Sequence, residues 1–137
     1  MRTAKEIQGD IINLLRDSAL ANEVSGLIYR KGYRPLNSQK EDIIVAFVTG
    51  FSGEIEEGVV VVNIYIPDID TFGNGTMVEN GARTAQIERF AADWVEGIKA
   101  SHSNYLFSLS QAISTEAEQA IRQHFVSVRL SYKLFNI

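Results

Sequence analysis

The chain has 137 residues, 45% of them hydrophobic and 22% charged, and no cysteine. That length and balance describe a single globular domain over residues 1–137, and they exclude a disulfide framework and a thiolate metal site. A net charge of −4 argues against general nucleic-acid binding, and charges interrupt every apolar run of the N-terminus, which therefore reads as neither signal peptide nor membrane span.

Thr3 followed by Glu6 has the form of a capping box, and Ile7, Ile11, Leu14 and Leu15 recur at helical spacing, so a first helix is expected over residues 3–17, with an extension toward Ala21. Residues 25–30 form a short strand candidate. Gly32, Pro35 and Asn37 then break the chain into a loop. The run 43–51 is β-branched and aromatic and reads as a strand; SGEIEEG is a turn, and 59–66, with four consecutive valines, carries the strongest strand signal. The two runs lie close enough for an antiparallel hairpin. Pro67 ends the second, and a long loop with several glycines and acids follows, of the length that is usually functional or disordered.

A second helix is expected over residues 83–100, because Ile87, Phe90, Ala91, Trp94, Val95 and Ile98 fall on one stripe. Residues 105–113 alternate as a strand, STEAEQAIRQ reads as a short helix or turn, and 125–135 alternates cleanly. The order α-β-β-β-α-β-β predicts an α+β domain: a mostly antiparallel sheet of four to five strands with two helices packed on one face.

Candidate chemistry is sparse. The two histidines, His102 and His124, lack partners at metal-ligand spacing. Asp68, Asp70 and Asn74 depart from a calcium loop, with Phe72 where a ligand belongs, and are better explained as a capped turn. Gly73-Asn74-Gly75 lacks the rest of a phosphate loop and reads as flexible backbone. Arg30, Lys31, Arg34 and Lys40 with Tyr29 and Tyr33 make a small basic–aromatic cluster, better read as a solvated loop or a contact for the acidic middle of a neighbouring copy than as a nucleic-acid site. Glu54, Glu56 and Glu57 sit at a hairpin tip, where nothing separates their pKa values. Trp94, Phe90, Tyr105 and Phe107 are core residues before they are a ligand box. No catalytic, cofactor or metal residues are assigned, and the chain is read as a non-enzyme. Its charge is segregated: residues 1–40 carry seven basic and four acidic side chains, and 41–96 carry two basic and eleven acidic. That pattern suits head-to-tail contacts between copies.

The helix with IINLLRDSALANEVSGLIY, the strands IIVAFVTGF and VVVVNIYIP, the helix ERFAADWVEGI and the closing HFVSVRLSYKLFN together resemble the tail terminator, or tail-completion, proteins of long-tailed phages and prophages. The resemblance is one of pattern and spans most of the chain. It implies a small α+β subunit forming a homo-oligomeric ring, typically a hexamer, that caps the tail tube and offers a surface to head-completion proteins. It also implies assembly in the bacterial cytoplasm and then a place in the virion, with no membrane, no specific nucleic acid and no cofactor. In this setting the loop residues Asp68, Asp70, Phe72, Asn74, Met77 and Glu79 become the expected partner-binding segment, ordering on docking. Deleting Thr71 to Asn80 would then spare folding and abolish docking. An acidic middle segment would suit a lumen along which DNA slides. The competing expectation is a small cytosolic ligand-binding domain or enzyme, its site drawn from His124, Arg129 and Asp68 or Asp70.

Overall fold

A computed structural model describes residues 1–100 and 104–135. Thr3 caps the first helix, α1 (Ala4–Leu15), through the reciprocal Thr3–Glu6 hydrogen bonds expected of a capping box. The helix stops two residues short of the predicted end because Asp17 turns into the left-handed region (φ 61°). Ser18 then caps a separate short helix, α2 (Ala19–Glu23). The strands are β1 (Ile28–Arg30), β2 (Ile43–Phe51) and β3 (Ile55–Pro67); α3 (Gly81–Lys99) follows, then β4 (Tyr105–Leu109), β5 (Ser114–Glu118) and β6 (Gln123–Phe135).

The sheet runs β1-β2-β3-β6-β4, with β5 also on β6, and among the described residues only the β1–β2 pair is parallel. The fold is α+β and mostly antiparallel, with six strands and three α-helices among the described residues rather than the expected four or five and two. Two differences account for the change, and a third moves a strand boundary. The first helix breaks at Asp17. The turn before β3 is shorter than SGEIEEG, since Ile55 already pairs with Phe135. Residues 114–118, read as helix or turn, form β5 along the first half of β6, while β4 borders the second half. Ser110 N still donates to Arg129 O between them, so β4 and β5 act as one edge strand interrupted at 111–113. Glu and Ala in that segment favour a helix, but pairing with β6 overrides the local preference.

Alternation assigns each face. Val60, Val62, Ile64 and Ile66 of β3 lie opposite Leu130, Val128, Val126 and His124 of β6, and all four β3 side chains are buried. Ile7, Ile11 and Leu15 of α1, Leu20 of α2, and Ile87, Ala91, Val95 and Ile98 of α3 close over this face and complete the core. Trp94 belongs to that core and donates from Nε1 to Leu14 O at 3.1 Å, tying α3 to α1. Phe107 is buried there too, with Phe90 and Tyr105 packed at its margin, so these aromatics build core rather than a ligand box. No helix among the described residues is long and apolar enough to cross a membrane.

Candidate functional site

The helices leave the opposite face of the sheet open. Its residues are Ile44 and Ala46 of β2, Val59, Val61, Asn63 and Tyr65 of β3, and Phe125, Ser127, Arg129, Ser131 and Lys133 of β6, matched across the strands by register. The two ends of this face differ.

At one end the loop 31–42 folds against the sheet around a buried carboxylate. Asp42 accepts from Arg34 Nε at 2.9 Å and from Ser38 Oγ through Oδ2, and from Leu27 N at 3.0 Å through Oδ1. Arg34 also donates to Gln123 Oε1 at 2.8 Å and stacks 4.4 Å above the Tyr65 ring. Gln123 Nε2 returns a hydrogen bond to Ser38 O at 2.9 Å. Burial pushes the Asp42 carboxyl up, but Ser38, Arg34 and Leu27 N together hold it below its ordinary value. The network brackets a turn: Ser38 N donates to Pro35 O at 3.2 Å, leaving Leu36 and Asn37 at its apex with Leu36 95% exposed. The basic–aromatic cluster is thereby divided. Arg34 is consumed here, whereas Arg30 turns to α1 and donates to Lys5 O and Gln8 Oε1. Lys31, Tyr33 and Lys40 remain exposed.

At the other end the open face forms a groove of about 490 Å³ across four strands, lined by Thr49, Phe51, Val59, Leu106, Ser131 and Lys133 among others. Phe51 is 72% exposed and Leu106 54%. Glu57 and Lys133 face each other at 3.8 Å in an exposed pair. The three hairpin glutamates do not act together. Glu54 and Glu57 are exposed, but Glu56 turns inward, 3% exposed, and accepts from Arg2 N at 3.0 Å.

The expected partner-binding loop lies beyond the Gln123 end. It is closed by its own hydrogen bonds: Ile69 N donates to Val78 O at 2.8 Å and Val78 N to Ile69 O at 2.9 Å. Asp70 accepts from Asn74 N and Gly75 N, and Asn74 Oδ1 from Thr76 N, so the Gly-Asn-Gly stretch is a braced turn rather than loose backbone. Phe72 and Met77 point to solvent. Asp68 and Glu79 instead address one imidazole: Asp68 Oδ1 lies 2.7 Å from His124 Nδ1, and Glu79 Oε1 lies 3.8 Å from Nε2. Asn80 caps α3, accepting from Arg83 N, so a deletion reaching Asn80 would also uncap that helix; trimming only 71–76 separates the two effects.

His124 thus clamps both ends of the loop. His124→Ala is expected to speed amide exchange at Ile69 and Val78 by about tenfold, the loss of one charge-assisted hydrogen bond, without altering the β3–β6 amides. Unchanged exchange at Ile69 and Val78 would show that the loop holds itself.

Of the residues named for a ligand site, His124 and Asp68 meet, while Arg129 stands on the open face and Asp70 is occupied in its own turn. The two carboxylates approach opposite nitrogens of the ring and do not converge; no group of three or more acidic or histidine side chains among the described residues is arranged to hold a metal ion. His102 lies outside the described residues. Among the basic side chains of residues 1–40, Arg34 is the one paired with a carboxylate of the acidic middle segment in the described residues, and the acidic segment supplies its own partner in Arg83. Arg34 pairs with Asp42, and Arg83 makes a two-pronged contact with Glu41 at 2.7 and 2.8 Å while reaching Glu23 at 2.8 Å. Hydrogen bonding by Arg83, working against burial, lowers the Glu41 carboxyl. The remaining acids are divided among the groove end, the long loop and the outer face of α3.

No protein-family model matches this chain, and a search of curated proteins finds no match.

Proposed function

We propose that this chain is a structural subunit of a phage or prophage tail, one that assembles into a ring terminating the tail tube and joining it to the head. The observation that carries the reading is the uncovered sheet face, which ends in an apolar groove with Phe51 and Leu106 exposed. Exposed apolar surface gathered in one concavity marks a contact for another macromolecule. The Asp42 and Glu41 carboxylates are answered by donors within the chain, as structural networks are.

Two features add support. The segment Ala46–Phe51 of β2 extends past the three residues paired by β1, and the outer side of β4 and β5 borders no strand among the described residues; both edges offer backbone groups to a neighbour. The pattern-level resemblance to tail terminators supplies the particular assembly. An acid-lined lumen would have to come from the outward side of α3, where Asp93 and Glu96 lie, because Glu88 turns to Thr115 of β5 and the other acids of the middle segment are spread over the two ends of the sheet.

The test is electron microscopy of purified protein mixed with tail tubes from the phage or prophage of the same host. Density capping one end of each tube is the expected result. Bare tubes would overturn the terminator reading and turn attention to the ligand-binding alternative, for which the His124–Asp68 pair is the place to begin.

A further inference from the structure

We propose that copies of this chain join head to tail, the turn 35–38 of one copy seating Leu36 in the groove between Phe51 and Leu106 of the next. The inference rests on the assembly reading above and names the surfaces that would carry it.

The two surfaces match in shape and polarity. The groove is apolar along Phe51, Val59 and Leu106, and its volume of about 490 Å³ accommodates more than one large side chain. The turn presents Leu36 at 95% exposure, with Tyr33 beside it in the chain at 69%. It is also held ready. Arg34 before it and Ser38 after it both bind Asp42, and Gln123 holds Ser38 O, so little freedom remains to be lost on docking.

Charge favours the same pairing. Lys31 and Lys40 are exposed on the loop, Glu57 lines the groove, and Glu54 is exposed in the turn that joins Phe51 to β3. Lys133 opposes Glu57 from 3.8 Å, but in an exposed pair that a second lysine can displace at little cost. Counting Glu54 in the adjoining turn, the groove end carries two exposed carboxylates against Lys133, and the loop carries two exposed lysines.

A chain cannot fill its own groove. The loop binds β6 at Gln123, the groove lies at Ser131 to Lys133, and the strand between them spans roughly 30 Å at ~3.3 Å per residue. A two-fold dimer that exchanges both contacts by stacking open faces would bring Arg129, near the middle of that face, toward its own symmetry mate. Like charges meeting there disfavour it. The contact is therefore heterologous, and repetition closes a ring or extends a filament.

The test uses two variants at exposed positions, Leu36→Glu for the turn and Phe51→Glu for the groove, with circular dichroism and melting to show that each folds as the parent does. Light scattering across a concentration series should show the parent exceeding two subunits and each variant self-associating at least ~100-fold more weakly, as expected for loss of a central apolar anchor. The equimolar mixture should recover a two-subunit particle and nothing larger. Phe51→Glu keeps an intact turn and Leu36→Glu an intact groove, so only one junction can form. If the parent assembles and the variants match it, or the mixture stays at subunit mass, this docking fails while the assembly reading stands. A parent that stops at a dimer overturns the head-to-tail geometry. A parent that remains a monomer overturns self-docking, and whether it still caps tail tubes decides the assembly reading separately.

Discussion

Replacing Asp42 with alanine is expected to lower stability by about 3–5 kcal/mol, the usual cost of removing one partner from a buried ion pair. Asp42 is 1% exposed and answers three donors from separate segments: Leu27 N, Arg34 and Ser38. Without the carboxylate, Arg34 keeps Gln123 and Lys40 O as neutral acceptors but loses its counter-charge in a place where its side chain is only 12% exposed. Gly26 belongs to the same arrangement, since a side chain there would run into the Asp42 carboxylate and Glu41 O. Urea denaturation of Asp42→Ala against the parent measures the loss; a change below about 1 kcal/mol would mean that the loop is held by Gln123 and Tyr65 alone.

The same residue predicts an acid limb. Asp42 and Glu41 both lie below their ordinary values of 3.8 and 4.5. A carboxylate with a depressed folded pKa stabilises the fold fully above the unfolded pKa, and that contribution disappears as pH falls toward the folded one. The urea midpoint should therefore hold from neutrality to about pH 5 and decline below about pH 4, with a shallower decline in Asp42→Ala. A midpoint that stayed level down to pH 3 would contradict this assignment.

The strands over 43–51 and 125–135 and the stripe of α3 were legible because each carries its own period, which burial on one face enforces. Residues 114–118 were not, because STEAE is a strand only by virtue of lying along Gln123–Ser127. Asp17 gave no local warning that α1 would end in a left-handed residue, although Ser18 followed by a new apolar position was a usable sign of a second cap. The open face was partly readable: the clean alternation of 125–135 groups Ser127, Arg129, Ser131 and Lys133, and they do share the uncovered side. The groove was hidden because Phe51, Val59, Leu106 and Ser131 come from four strands whose register no local pattern states. The Asp42 network was hidden for the same reason, since Arg34 and Gln123 are 89 residues apart. Asp68 and His124 were named together for a ligand site and do meet, whereas Arg129, one of the same set, is turned away by the alternation that puts odd-numbered β6 residues on the open face.

Gly58→Val is expected to cost about 3 kcal/mol, at the upper end for overpacking, because the obstacles are a ring and a backbone carbonyl rather than a flexible chain end. A Cβ at Gly58 would stand 2.5 Å from Tyr132 Oη and 2.6 Å from Cζ, and closer still to Thr49 O; at Gly50 it would stand 2.7 Å from the same Oη. Tyr132 thus lies across two glycines on neighbouring strands. It has little room to leave, being 3% exposed with Tyr105 edge-on at 5.9 Å. Burial, with Glu56 nearby, pushes its hydroxyl above the ordinary value, so it stays neutral across the working range of pH. A double-mutant cycle separates the two obstacles. In a Tyr132→Ala background the valine penalty should fall by about 1–2 kcal/mol if the ring is the main obstruction; strict additivity would assign it to Thr49 O instead. The backbone of Gly58 also lines the groove proposed to receive Leu36, although a side chain there would point to Tyr132 on the core side. Gly58→Val should therefore weaken self-association by shifting the β3 backbone under the groove, whereas Asp42→Ala should do so by releasing the turn at the far end of the same face. Two lesions about 30 Å apart converging on one assembly defect is the behaviour expected of a contact that uses both ends of one sheet.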